Sequence, residues 1–196
     1  MTVAYLGLGA NLGDAKQSLQ DAVISLAQRP GIIVLAKSSL YRTAPIDAEG
    51  DDFYNCVVAV GTLLPPAKLL ALVQGVEHEF GRERPYRNAP RTLDIDILLY
   101  GDEQIDERLA SQGDAQRDMA NAEGYLTIPH PRLTQRAFAL VPLLELDAAV
   151  MIPGQGPAAR FIPQLADQAI EMVMSQCSLL SDRKCQARPT QRGDTA

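Results

Sequence analysis

Residues 87–100 read Arg87-Asn88-Ala89-Pro90-Arg91-Thr92-Leu93-Asp94-Ile95-Asp96-Ile97-Leu98-Leu99-Tyr100, and Gly101 follows. The apolar run that begins at Leu93 is short and closed by glycine, which predicts a strand rather than a helix. Asp94 and Asp96 sit two apart in it, so they project from one face with Cα atoms about 6.6 Å apart. Upstream, Pro65-Pro66 opens a stretch in which Leu69, Leu72, Val73, Val76 and Phe80 share a helical face, with Gly81 past its end. Residues 54–63 are valine-rich and read as a strand, while residues 32–35 and 38–43 read as one long or broken strand. Before them Leu19, Ala22, Val23 and Leu26 mark a helix between an Asp14 cap and a Pro30-Gly31 stop, and residues 3–9 form a first strand.

The resulting β-α-β-β-α-β order predicts an α+β fold, a ferredoxin-like βαββαβ sandwich whose antiparallel sheet carries its helices on one face, plus a C-terminal extension. One catalytic domain is expected over residues 1–163. Residues 102–124 are polar and acidic, an insertion at about 108–124, and residues 164–196 are expected as a C-terminal helix and a polar tail. Residues 126–131 suggest a turn or short strand, followed by a helix over residues 132–146 that Pro142 begins or kinks.

A chain of 196 residues with 46% apolar and 21% charged composition is an ordinary globular protein, not a collagen-like, coiled-coil or disordered one. Its net charge of −6 disfavours long nucleic acid as a partner. No apolar stretch is long enough for a membrane span, and Cys56, Cys177 and Cys185 lack metal-ligand spacing. The expectation is a cytoplasmic monomer acting on small molecules.

Two ionised carboxylates on one strand face repel each other and resist desolvation unless a cation joins them. Magnesium suits such a pair, since it accepts carboxylate oxygen and keeps positions for water and phosphate. Alternation alone fits a solvated edge strand equally well. Arg82, Arg84, Arg87 and Arg91 crowd the approach to the pair, and guanidinium forks match phosphate oxygens. Glu77 lies near the edge of an apolar helical stripe, where an inward salt bridge and a metal contact both account for it. His130, between Pro129 and Pro131, could donate to an anion. Asn55 could present its amide to a planar heterocycle. There is no GxxxxGK[ST] loop, and the glycines of GLGANLG near the start read as turn formers.

Gly9-Ala10-Asn11-Leu12-Gly13, Ser39 to Thr43 with Pro45, Asp52-Phe53-Tyr54-Asn55, Glu77 with Gly81-Arg82, the unbroken basic-x-small-Pro-Arg-x-x-Asp-hydrophobic-Asp signature from Arg87 to Asp96, and Pro129-His130-Pro131-Arg132 with Arg136-x-Phe138 occur in this order. In these blocks the chain resembles the 6-hydroxymethyl-7,8-dihydropterin pyrophosphokinases of folate biosynthesis, over about residues 1–153. The resemblance implies magnesium-dependent transfer of the terminal diphosphate of ATP to the pterin hydroxymethyl oxygen, releasing AMP. It implies that Asp94 and Asp96 hold two Mg2+ ions and act in catalysis with Arg82 and Arg91. On the nucleotide side it places Arg84, His130, Arg136 and Glu77, and in the pterin pocket Thr43, Pro45, Phe53, Asn55 and Phe138. The chain has no tryptophan, and Asn88 stands where many relatives carry a covering aromatic. Ala10, Ala44 and Tyr125 also depart from the usual residues. Residues 44–52 and 82–89 have no apolar anchors and are expected to close over the site.

Overall fold

The computed structural model describes residues 1–44, 51–81, 92–108 and 125–175. Strand β1 (Thr2–Ala10) leads into helix α1 (Ala15–Ala27), whose cap is the Asp14 carboxylate accepting from the Gln17 amide at 3.1 Å. Strands β2 (Ile32–Lys37) and β3 (Leu40–Thr43) follow, then β4 (Phe53–Thr62), α2 (Pro66–Glu79) and β5 (Asp94–Tyr100). The chain continues through β6 (Ile105–Arg108), β7 (Tyr125–Ile128), a 3₁₀ turn (Leu133–Gln135), α3 (Ala137–Leu146), β8 (Met151–Ile152), β9 (Gly156–Pro157), a 3₁₀ segment (Ala158–Leu165) and β10 (Ile170–Met174).

The main sheet is antiparallel, in the order β10-β3-β4-β1-β5, with β2 also paired to β4. The break between β2 and β3 falls at Ser38-Ser39. The Ser38 hydroxyl is buried there; it accepts from the Val57 amide at 2.9 Å and donates to the Ser39 carbonyl at 2.8 Å, replacing ladder bonds with its own.

Even-numbered residues of β1 and β4, such as Leu6, Leu8, Val58 and Val60, pack with Ile95 and Ile97 against α1 and α2. The opposite face is covered too. Val57, Leu98 and Leu99 pack with Leu133, Leu140 and Leu143 around α3. Helices therefore lie on both faces, which corrects the expectation of one. The reason is β4: Asn55 to Thr62 are all buried, so its apolar run needs cover on both sides. A register shift opposite Tyr5 and Leu6 leaves Leu98 as an extra residue in β5. That bulge lets β5 feed Ile97 to one core and both Leu98 and Leu99 to the other.

Two further expectations change. Residues 105–108, read as part of a patternless polar stretch, form β6 and pair with β7. Residues 170–174, expected in a C-terminal helix, form β10 on the outer edge of β3. An exposed edge strand leaves its amides unpaired, and the backbone of β10 pairs with those of β3; Arg42 of β3 also meets Glu171 of β10 at 2.5 Å.

Candidate active site

Antiparallel register decides which side chains meet. Tyr41 pairs with Asn55, Asn55 with Gly9, and Gly9 with Asp94, so one row crosses four strands. Val57, Gly7 and Asp96 form the next row. Paired residues share a face, as do residues two apart on one strand. Thr43, Phe53, Asn55, Asp94 and Asp96 are consequently gathered on the α3 side of the sheet. Between Asn55 and the two aspartates, β1 offers only Gly7 and Gly9, both partly exposed. The result is a trough whose floor is bare backbone at Gly9, with the Leu98 side chain packed over Gly7, a carboxyamide wall on β4 and a carboxylate wall on β5.

These glycines are not turn formers, as their neighbours LGANLG had suggested; they lie within β1, alternating with the buried Leu6, Leu8 and Ala10. A Cβ on Gly9 would stand 3.1 Å from Asn55 Oδ1. The signal was available in the spacing, because glycines at i and i+2 of a strand clear one face.

The β4 wall is fixed. Asn55 and Thr43 are both buried, and Asn55 Nδ2 donates to Thr43 Oγ1 at 3.0 Å. With the amide nitrogen so engaged, Oδ1 is turned to the trough as an acceptor for an N–H donor. Phe53, on the same strand, and Phe138, at the start of α3, are half-buried and offer ring faces.

On the β5 wall, Asp96 Oδ2 lies 3.7 Å from His130 Nε2 and 3.7 Å from Arg136 Nη1. His130 is tied to the bulge by its amide, which donates to the Leu98 carbonyl at 2.9 Å. Its Nδ1 accepts from the Arg132 amide at 3.1 Å, so the neutral ring carries its proton on Nε2, toward Asp96. Burial, followed by the charges of Arg136 and Arg132, pushes its pKa down to about 4. At pH 7 the ring is uncharged and acts as a hydrogen-bond donor, and the charged partner of Asp96 among these groups is Arg136. That guanidinium also stands 5.3 Å over the Phe138 ring, which limits its swing.

Both Arg136 and Phe138 depend on α3 being held over the sheet. Glu145, near the other end of that helix, accepts from the Ser39 amide at 2.9 Å, the Ser39 hydroxyl at 2.7 Å and the Tyr41 hydroxyl at 2.9 Å. Burial and this bond raise the Tyr41 pKa to about 12, so the phenol stays a donor at every physiological pH. Because Ser39 and Tyr41 are buried, Glu145→Ala strands their donors, and urea unfolding should show a loss of about 2 kcal/mol.

Glu77 departs from the expected nucleotide contact. It is 1% exposed, on α2 beneath the opposite face, and its Oε1 accepts from the Ile95 amide at 2.7 Å. Pro45, Arg82, Arg84, Arg87 and Arg91 lie outside the described residues, as do most of both expected lids. Among the described residues no group of three or more His, Cys, Asp and Glu side chains is placed to hold a metal ion. Two carboxylates are nevertheless a fitting donor set for magnesium, which is held by one or two of them together with substrate phosphate and water.

Residues 5–148 match the family described as 7,8-dihydro-6-hydroxymethylpterin-pyrophosphokinase. A 2-amino-4-hydroxy-6-hydroxymethyldihydropteridine pyrophosphokinase of Methylorubrum extorquens is 42% identical over 157 residues, 79% of this chain and 89% of that one. The enzyme of the same name from Bacillus subtilis is 39% identical over 145 residues, 74% of this chain and 77% of the other. Among solved structures, Plasmodium falciparum HPPK-DHPS superposes with a TM-score of 0.66 at 16% identity, over 83% of this chain and 45% of the larger one. That last likeness concerns the fold alone.

Proposed function

The chain belongs to the 7,8-dihydro-6-hydroxymethylpterin-pyrophosphokinase family, and from that membership we propose that the trough between Asn55 and the Asp94–Asp96 pair is where its reaction is run. The enzyme transfers pyrophosphate from ATP to hydroxymethyldihydropterin in folate synthesis. Atom balance fixes the course: the hydroxyl oxygen bonds to the β-phosphorus, the bond from that phosphorus to the α-phosphate bridging oxygen breaks, and AMP leaves. The observation that supports the placement is the shared face, on which the Asn55 amide and two carboxylates stand on opposite sides of Gly9.

In this reading the flat pterin lies over Gly9. Asn55 Oδ1, turned to the trough by the Thr43 bond, accepts from the pterin's N–H edge, and Phe53 and Phe138 supply ring faces for stacking. Pro45 joins this pocket. The hydroxymethyl arm then points toward Asp94, the β5 residue paired with Gly9, which orients the hydroxyl. Arg136 and the Nε2–H of neutral His130, both beside Asp96, meet phosphate oxygens, and Arg82, Arg84 and Arg91 add charge from the approach to β5. Asp94 and Asp96 would hold two Mg2+ ions, which when bound neutralise charge developing on the transferred group. Catalysis rests on positioning and preset charge, since phosphoryl chemistry of this kind leaves little covalent work to the protein.

The strand order β5-β1-β4 followed by β2 and β3, which share one strand's place, supports the ferredoxin-like βαββαβ sandwich. No described helix is long and apolar enough to cross a membrane. The test is a coupled assay of AMP release with the reduced pterin and ATP. AMP and pterin diphosphate should appear in equal amounts, stop on chelation and resume with Mg2+; release of ADP or free phosphate would refute the reading.

A further inference from the structure

Resting on that placement of the reaction, we infer that Glu77 is a positioning residue that sets the Asp94–Asp96 pair from the opposite side of the strand. Among the described residues β5 is the edge of the main sheet, so its amides that point away from β1 have no ladder partner there. Ile95 is the residue between the two aspartates, and its amide donates to Glu77 Oε1 at 2.7 Å. The Ile95 side chain enters the core shared with Leu69, Val73 and Val76 of α2, so that helix grips this one residue by both backbone and side chain. Within the site face, Asp94 and Asp96 are each paired with a glycine, and Asp96 also meets His130 and Arg136. The backbone between the two carboxylates is held from behind, by Glu77.

An apolar residue would serve a buried helix face better than a carboxylate, which costs desolvation unless its bonds repay it. Glu77 is nevertheless 1% exposed at this position. Its chemistry is explained by the strand amide it holds: a fixed carboxyl oxygen gives a more directional bond than water at an open edge. The bond holds the strand backbone midway between the two carboxylates, which fixes their spacing for the cations they would hold. Groups behind metal ligands typically change metal affinity or activity by about 10- to 100-fold when removed.

The test uses the full chain, Mn2+ as the probe, and a nonhydrolysable ATP analogue. Mn2+ binding is followed by electron paramagnetic resonance, and exchange of the Ile95 amide by NMR. Glu77→Leu should weaken Mn2+ binding by about tenfold and release the Ile95 amide to exchange. Glu77→Gln, which keeps a carbonyl acceptor and loses only the charge, should stay within about threefold of wild type. Equal losses in the two variants would mean that the charge itself acts on cation or phosphate, and would overturn the inference. So would a Leu variant with a lower melting temperature and unchanged Mn2+ affinity. If Glu77→Leu does not fold, the Gln variant decides alone: retained affinity supports positioning and a tenfold loss refutes it. Failure of wild type to release AMP would instead strike the reading of the site, so the two failures are distinct.

Discussion

Asp96→Asn should lower turnover by about three orders of magnitude, with saturating ATP and pterin and at every Mg2+ concentration tested, while the melting temperature stays within a few degrees. The asparagine keeps the size and one acceptor oxygen of the carboxylate and removes only its charge. Asp96 is half-exposed and faces the trough, so the core does not depend on it. Its contacts to Arg136 Nη1 and His130 Nε2, both at 3.7 Å, are long and partly solvated; their loss costs at most about 1 kcal/mol of stability. The catalytic loss is expected to be larger because the carboxylate faces a guanidinium and, in the proposed reading, would hold cations beside a triphosphate. Removing one member of a preset charge array costs the transition state more than the ground state. The readouts are kcat across a Mg2+ titration and thermal unfolding of the same samples. Near-normal turnover at saturating Mg2+ would remove Asp96 from the cation site.

How much of this site could be read in advance depended on how local its signals are. LDIDILLY declares a strand, and period two places both aspartates on one face, so the carboxylate wall needed no tertiary information. The Asp14 cap and the Pro65-Pro66 start were equally local, and both hold. Pairing was not local. Gly9 reads as the end of a first strand running into a glycine-rich turn, and only its register between Asn55 and Asp94 gives the absence of a side chain a use. Glu77 illustrates the same limit, because a carboxylate at the edge of an apolar stripe announces a partner without naming it, and the partner is a backbone amide on another element. The strand Ile170–Met174 was missed because a five-residue segment has no period of its own strong enough to outweigh its surroundings, and it is organised by the free edge of β3. The continuous burial of β4 could have warned of cover on both faces, since a half-exposed strand alternates and this one does not.

Filling the trough should separate stability from function more sharply than any change to its walls. Gly9 has no positive φ, so β1 can accept a side chain there without backbone strain, and strand interiors favour residues larger than glycine. The cost lies above the sheet. A Cβ at Gly9 would stand 3.1 Å from Asn55 Oδ1, pressing on the amide whose nitrogen is committed to Thr43. It would also occupy the floor on which the heterocycle is placed. Overpacking of a close-fitting contact costs about 1 to 3 kcal/mol, which corresponds to roughly five- to 150-fold in affinity. Gly9→Ala should therefore raise the pterin KM about tenfold, and Gly9→Val, which adds two branches against Asn55, about a hundredfold. ATP affinity should stay within about twofold in both, because Arg136 and His130 lie beyond the Asp96 end of the face. Calorimetric titration with each substrate separates the two effects, and circular dichroism checks the fold. If pterin affinity is unchanged in the valine variant, the heterocycle does not lie over β1, and the Asn55 wall must serve another purpose.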